Sequence, residues 1–112
     1  MSAPRAQAQQ WLEEGLERHR AGARTEAEKL YQAAADAAPD DPTPLYLMGL
    51  SRFESGDPGA AERLFTQVTR LRPDHADARF TLAGLRYWSG DYAAAAEDYR
   101  AVIALAPEHA AA

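Results

Sequence analysis

Cysteine is absent from this 112-residue chain, and with it go disulfide frameworks, thiolate chemistry and Cys-ligated zinc. Branched residues are scarce as well: Val, Ile and Thr number 2, 1 and 5, while Ala alone numbers 26. Sheets favour the branched side chains and helices favour Ala, so the composition predicts an all-α protein. Lysine occurs once, at Lys29, which leaves Arg to carry the positive charge. With 12 basic against 17 acidic residues the formal charge is −5, a balance that points away from nucleic acid. No apolar run approaches the roughly 18 residues of a membrane helix, so no membrane association is expected. Met1-Ser2-Ala3-Pro4-Arg5 does not open a signal peptide, because no apolar stretch follows it. The cytoplasm is the expected compartment, with the periplasm as the alternative if the chain is an excised mature fragment. At 46% hydrophobic and 26% charged, the chain reads as one small globular domain over 1–112.

What is present is repetition. Pro39, Pro73 and Pro107 are 34 residues apart, and so are Gly22, Gly56 and Gly90. Ala27, Ala61 and Ala95 share the interval, as do the aromatics Tyr31, Phe65 and Tyr99. Ala34, Val68 and Val102 supply a small apolar column, and Arg18, Arg52 and Arg86 an arginine column. A fixed period of this length marks a repeat architecture. The copies run over 8–41, 42–75 and 76–109, with short extensions at either end.

Each copy reads as two helices, six in all. In the second, Asp41-Pro42-Thr43-Pro44 opens a helix that reaches about Phe53, and Ser55-Gly56-Asp57-Pro58-Gly59 forms the turn. Asp57 suits the N-cap of the next helix, where Ala61, Leu64, Phe65, Val68 and Leu71 make an amphipathic stripe ended by Pro73. Thr25-Glu26-Ala27-Glu28 matches a capping box in the first copy. In the third, Asp91 is the expected cap, with Asp74 or Asp77 opening the helix before it.

On these residues the copies resemble tetratricopeptide repeats, whose 34-residue unit carries a Trp or Leu, Leu-Gly, a Tyr, an Ala, an aromatic, another Ala and a closing Pro. Trp11, Gly15, Ala27, Tyr31, Ala34 and Pro39 supply the pattern in the first copy. Leu45, Met48-Gly49, Ala61, Phe65, Val68 and Pro73 do so in the second, and Leu82-Ala83, Ala95, Tyr99, Val102 and Pro107 in the third. Glu14, Arg79 and the arginine column depart from it. The resemblance implies a right-handed α-solenoid of three stacked hairpins whose first helices line a concave face. Physics gives the columns a reason: a lone hairpin cannot bury its apolar stripe, so it stacks on the next and shares a core. Gly15, Gly49 and Ala83 belong where helices cross closest, with the aromatics filling the space beside them.

The first helix of each copy carries a second stripe that core packing does not consume. In the second copy it is Thr43, Tyr46, Leu47, Leu50, Phe53 and Glu54. The matching positions are Gln9, Leu12, Glu13, Leu16, His19 and Arg20, then Asp77, Phe80, Thr81, Gly84, Tyr87 and Trp88. An ordinary surface helix needs one apolar stripe, and a large exposed apolar patch marks an interaction site. The expected function is a non-catalytic module that receives a peptide or helix bearing apolar side chains. Its groove would hold Leu12, Leu16, Tyr46, Leu47, Leu50, Phe53, Phe80, Thr81, Tyr87 and Trp88, rimmed by Glu13, His19, Arg20, Glu54 and Asp77. The competing reading has the chain's own N-terminus, or tight curvature, closing the groove. Some members of the family clamp the terminal carboxylate of chaperone tails with Lys, Asn and Arg. The matching positions here include Gln9, Leu12, Leu16, Leu47 and Thr81, so that specificity is not expected.

Other features carry less. The arginine column lies on the packing stripe, where stems that pack and pair with carboxylates are expected. Glu13, Glu14, Glu17, Glu26 and Glu28 make the first copy acidic, a solvated face that could also steer a basic partner. No nucleophile constellation, phosphate loop or metal-ligand pattern accompanies His19, His75 and His109, so no enzyme, metal or cofactor is expected. Glu108-His109-Ala110-Ala111-Ala112 is too short for a capping helix, which would leave Tyr92, Ala96, Ile103 and Leu105 partly uncovered. The second functional expectation is therefore a scaffold that homo-oligomerises through this face.

Overall fold

The computed structural model describes residues 3–105, with side chains from Arg5 onward. Pro107, His109 and the C-terminal residues beyond lie outside the described residues. Six helices follow in order: α1 (Ala3–Arg20), α2 (Arg24–Ala37), α3 (Thr43–Glu54), α4 (Pro58–Leu71), α5 (Ala76–Trp88) and α6 (Tyr92–Leu105). Each packs on its neighbours in sequence, giving an all-α solenoid of three hairpins with α1, α3 and α5 in one layer and α2, α4 and α6 in the other. α1 begins well before the first repeat, and this extension is helical rather than folded across the groove. Arg5 near its start pairs with Asp40 in the α2–α3 turn at 2.7 Å. That contact holds the Asp40 carboxyl below the usual carboxylate range.

The repeat columns explain the hairpins. Gly22, Gly56 and Gly90 take φ of 84°, 83° and 91°, a left-handed conformation that glycine adopts without strain. Each then lets the following amide reach back over the helix end: the N–H groups of Ala23, Asp57 and Asp91 donate to the carbonyls of Arg18, Arg52 and Arg86 at 2.8, 2.9 and 2.8 Å. Gly15 and Gly49 mark the close crossings. A Cβ on Gly15 would lie 2.6 Å from the Tyr31 ring, and one on Gly49 would lie 2.7 Å from the Phe65 ring. Ala27, Ala61 and Ala95 are buried beside them, as are Tyr31 and Phe65.

The caps follow the sequence in part. Asp57 accepts from the Ala60 amide and Asp91 from the Ala94 amide, as their positions suggest. The capping box at Thr25 does not form: α2 starts at Arg24, one residue ahead of it, and Ala23 at the N-cap makes no side-chain bond. The opening of α5 is also corrected. Neither Asp74 nor Asp77 caps it; His75 does, its Nδ1 accepting from the Ala78 amide at 3.1 Å. His75 stands one residue before the helix, the position from which a side-chain acceptor reaches the free amides of the first turn.

The arginine column works as a set of staples between layers. Arg52 meets Glu28 at 2.9 Å, and Arg86 meets Glu62 at 3.5 Å, each reaching back to the preceding hairpin. Arg18 lies 4.0 Å from Glu26 within its own hairpin. In the third repeat the register places Arg79 and Asp98 where the second repeat has Leu45 and Leu64. Asp98 is buried, 3.6 Å from Arg79 and 2.6 Å from Arg86. An ion pair thus replaces an apolar pair.

Candidate functional site

The layer formed by α1, α3 and α5 carries two apolar hollows side by side. Between α1 and α3, Leu16, Leu47 and Leu50 wall a cavity of about 210 Å³ that Tyr31 floors and His19, Arg20 and Glu54 border. Between α3 and α5, Phe53, Phe80, Thr81, Gly84, Leu85 and Trp88 enclose about 250 Å³. A larger cavity, about 470 Å³, opens on α4 among Glu62, Arg63, Thr66, Gln67 and Arg70, away from the second stripe and far more polar.

Exposure follows the same division. Phe53, Phe80 and Tyr87 are about half exposed, at 52%, 50% and 52%, and Trp88 is 86% exposed. Leu16, Tyr46, Leu47, Leu50 and Thr81 are half-buried, while Glu13, Arg20, Glu54 and Asp77 are open to solvent. Leu12 is a correction. The stripe assigns it to the groove, yet it is 5% exposed and sits in the core with Ala8, Ala27 and Tyr31. The extended α1 brings Ala8 one turn before it, and together they seal the first hairpin where an earlier repeat would otherwise stack.

Tyr46 is anchored rather than free. Its ring lies 5.6 Å from Phe65 and 4.9 Å from His75, and burial together with the charge of Asp77 pushes its phenol up. At the border of the first cavity, His19 Nε2 and Glu54 Oε1 are 2.7 Å apart, which ties α1 to α3. Arg24 reaches the same oxygen at 3.5 Å. Burial pushes the Tyr31 phenol up, Glu54 adds to the effect and Arg20 opposes it.

Tyr87 and Trp88 lie at the end of α5, and Tyr87 packs edge-on against both Trp88 and Tyr92, at 6.2 and 5.2 Å. Tyr92, assigned from sequence to the oligomer face with Ala96, Ile103 and Leu105, therefore joins the aromatic cluster at the mouth of the groove. Sequence reasoning missed three lining residues. Leu85 reads as core, Gly84 offers no side chain to count, and Tyr31 stands in the packing column, where only its hydroxyl sets it apart from Phe65. Among the described residues, no group of three His, Asp or Glu side chains could hold a metal ion. Among the same residues no helix is long and apolar enough to cross a membrane.

The family model described as tetratricopeptide repeat matches residues 46–110. The chain belongs to the tetratricopeptide repeat family. Solved structures agree with this fold. The first repeat domain of Spaghetti (RPAP3), bound to the HSP90 peptide SRMEEVD, is 22% identical with a TM-score of 0.82. That match covers 92% of this chain and 84% of the other. The second Spaghetti domain, bound to the same peptide, is 19% identical with a TM-score of 0.82, covering 94% of this chain and 99% of its own. MamA from Desulfovibrio magneticus RS-1 is 30% identical with a TM-score of 0.81; the match takes in 90% of this chain and 57% of MamA. Among curated proteins none matches the chain.

Proposed function

We propose that residues 1–112 act as one non-catalytic interaction module whose concave face binds a peptide or helix of a partner protein. The observation that carries this reading is the pair of adjoining apolar cavities on α1, α3 and α5, edged by Phe53, Phe80 and Trp88 at half exposure or more. Contiguous apolar surface of this kind marks interaction sites, and aromatic side chains dominate binding energy where they occur. The two Spaghetti domains hold a peptide on the same fold, which supports the class of ligand. Its chemistry differs here, because Leu16, Leu47 and Leu50 line the groove and apolar contact is what they offer.

A test replaces Leu50 and Phe53 together with Glu. Both are at least partly exposed, so circular dichroism should show unchanged helix content. Protein captured from the native host's lysate by the parent chain should disappear from the variant's eluate. Capture that survives the double change sinks the groove reading.

A second reading rests on a different surface. Ile103 and Leu105 of α6 are 50% and 41% exposed, Tyr92 is 62% exposed and Ala96 is half-buried between them. A second copy docking on this face would make the chain an assembly scaffold. Light scattering at high concentration should then give a mass above 12.2 kDa that returns to the monomer in Ile103→Glu. A monomer at every concentration removes this option and leaves the groove untouched.

A further inference from the structure

The cavity between α1 and α3 contains a polar atom that its apolar walls leave unsatisfied. Tyr31 is fully buried, yet its hydroxyl has no hydrogen-bond partner. A buried hydroxyl without a partner costs stability. Phe65 fills the same crossing in the second repeat with no hydroxyl at all, so packing alone does not call for one. The hydroxyl instead floors a hollow that opens at the groove.

The surroundings define what would satisfy it. Burial and Glu54 both keep the phenol protonated, so it is a donor in want of an acceptor. Glu54 also acts on it more strongly than Arg20 does, which makes the site unfavourable for an anion. His19 and Arg24 both address Glu54 Oε1, leaving Oε2 among the described residues as an acceptor for an incoming donor. A carboxylate would face Glu54 with like charge, and an alkyl tip would satisfy neither group. A carboxamide supplies a carbonyl to the phenol and an N–H to the carboxylate. The volume, about 210 Å³, far exceeds the roughly 30 Å³ share of one water.

We propose that this cavity is a subsite for a glutamine-like side chain of the partner, its stem against Leu16, Leu47 and Leu50 and its carboxamide between the Tyr31 hydroxyl and Glu54. The proposal rests on the groove reading and adds the chemistry of one anchor. It makes the partner a segment with an uncharged amide among apolar residues.

The test uses three small probes, butyramide, butyrate and 2-pentanone, titrated into the full chain and followed by amide chemical shifts. Butyramide should give saturable shifts at Leu16, Leu47 and Leu50 in the millimolar range, with 2-pentanone weaker and butyrate weakest. Tyr31→Phe should bind butyramide at least fivefold more weakly while melting no lower than the parent. Glu54→Ala, a change at an exposed residue, should weaken butyramide and leave 2-pentanone unchanged. Butyrate binding as well as butyramide, undiminished binding by Tyr31→Phe, or no saturable shift overturns the assignment. If that happens while the Leu50 and Phe53 change still abolishes capture, the groove stands and only the carboxamide subsite falls.

Discussion

Asp98→Ala should lower the unfolding free energy by about 3 kcal/mol, the low end for breaking a buried ion pair. The loss arises because Asp98 is 4% exposed and accepts from Arg86 at 2.6 Å while facing Arg79 at 3.6 Å. Its removal strands two guanidinium groups against α6. Both are partly exposed and can recover some water, which sets the magnitude at the low end; Arg86 also keeps Glu62 at 3.5 Å. Arg79→Leu combined with Asp98→Leu should restore most of the loss. Those two positions are leucines in the preceding repeat, and apolar residues of similar volume commonly replace a buried pair without penalty. Urea unfolding of the parent, the single variant and the double variant measures all three. A double variant as unstable as Asp98→Ala would mean that the third hairpin depends on the charges themselves.

That pair also shows how much of the molecule was legible beforehand. Spacing located six helices because Gly, Pro and small residues recur at positions where backbone geometry admits little else. Arg79 looked like a departure from the repeat, and it remained unexplained until Asp98, 19 residues away, was seen beside it. A compensating change of this sort is invisible to a column-by-column reading, since each column holds one half of it. Caps were less legible for a similar reason. Thr25 and Asp77 have suitable side chains, but one residue of displacement put Ala23 and His75 at the ends of the helices instead.

The groove was legible in outline. A stripe counted along one helix treats every first helix alike, and so it placed Leu12 beside Leu16. It could not register that α1 extends back to Ala3 and that Ala8 and Leu12 close the first hairpin. Nor could it assign Tyr31 to the groove, because a side chain can fill a core crossing and still present its far end to a cavity on the other side. The exposed aromatics at the end of α5 were anticipated. Their packing with Tyr92 across the α5–α6 turn was not, since it joins two surfaces that sequence had kept apart.

The other large effect concerns the crossing of α3 and α4. Phe65 is completely buried, and Phe65→Ala should cost about 3–5 kcal/mol through lost burial and the cavity left behind. Gly49 beneath it should be nearly as sensitive to added volume. Its missing Cβ would stand 2.7, 2.9 and 3.1 Å from three ring carbons of Phe65, and the ring has no open side to move into. Gly49→Ala gains about 1 kcal/mol of helix propensity, but overpacking of about 1–3 kcal/mol opposes it, so the net change should be destabilising. Gly84 supplies the control. A Cβ there meets nothing within 4 Å, so Gly84→Ala should stabilise by up to about 1 kcal/mol. In a Phe65→Leu background the ring carbons are gone, and Gly49→Ala should then lose its penalty or change sign. Thermal unfolding of the four-variant cycle reads the coupling between the two sites directly. Additive effects would mean that the glycine is required by the α3 backbone and not by the ring above it.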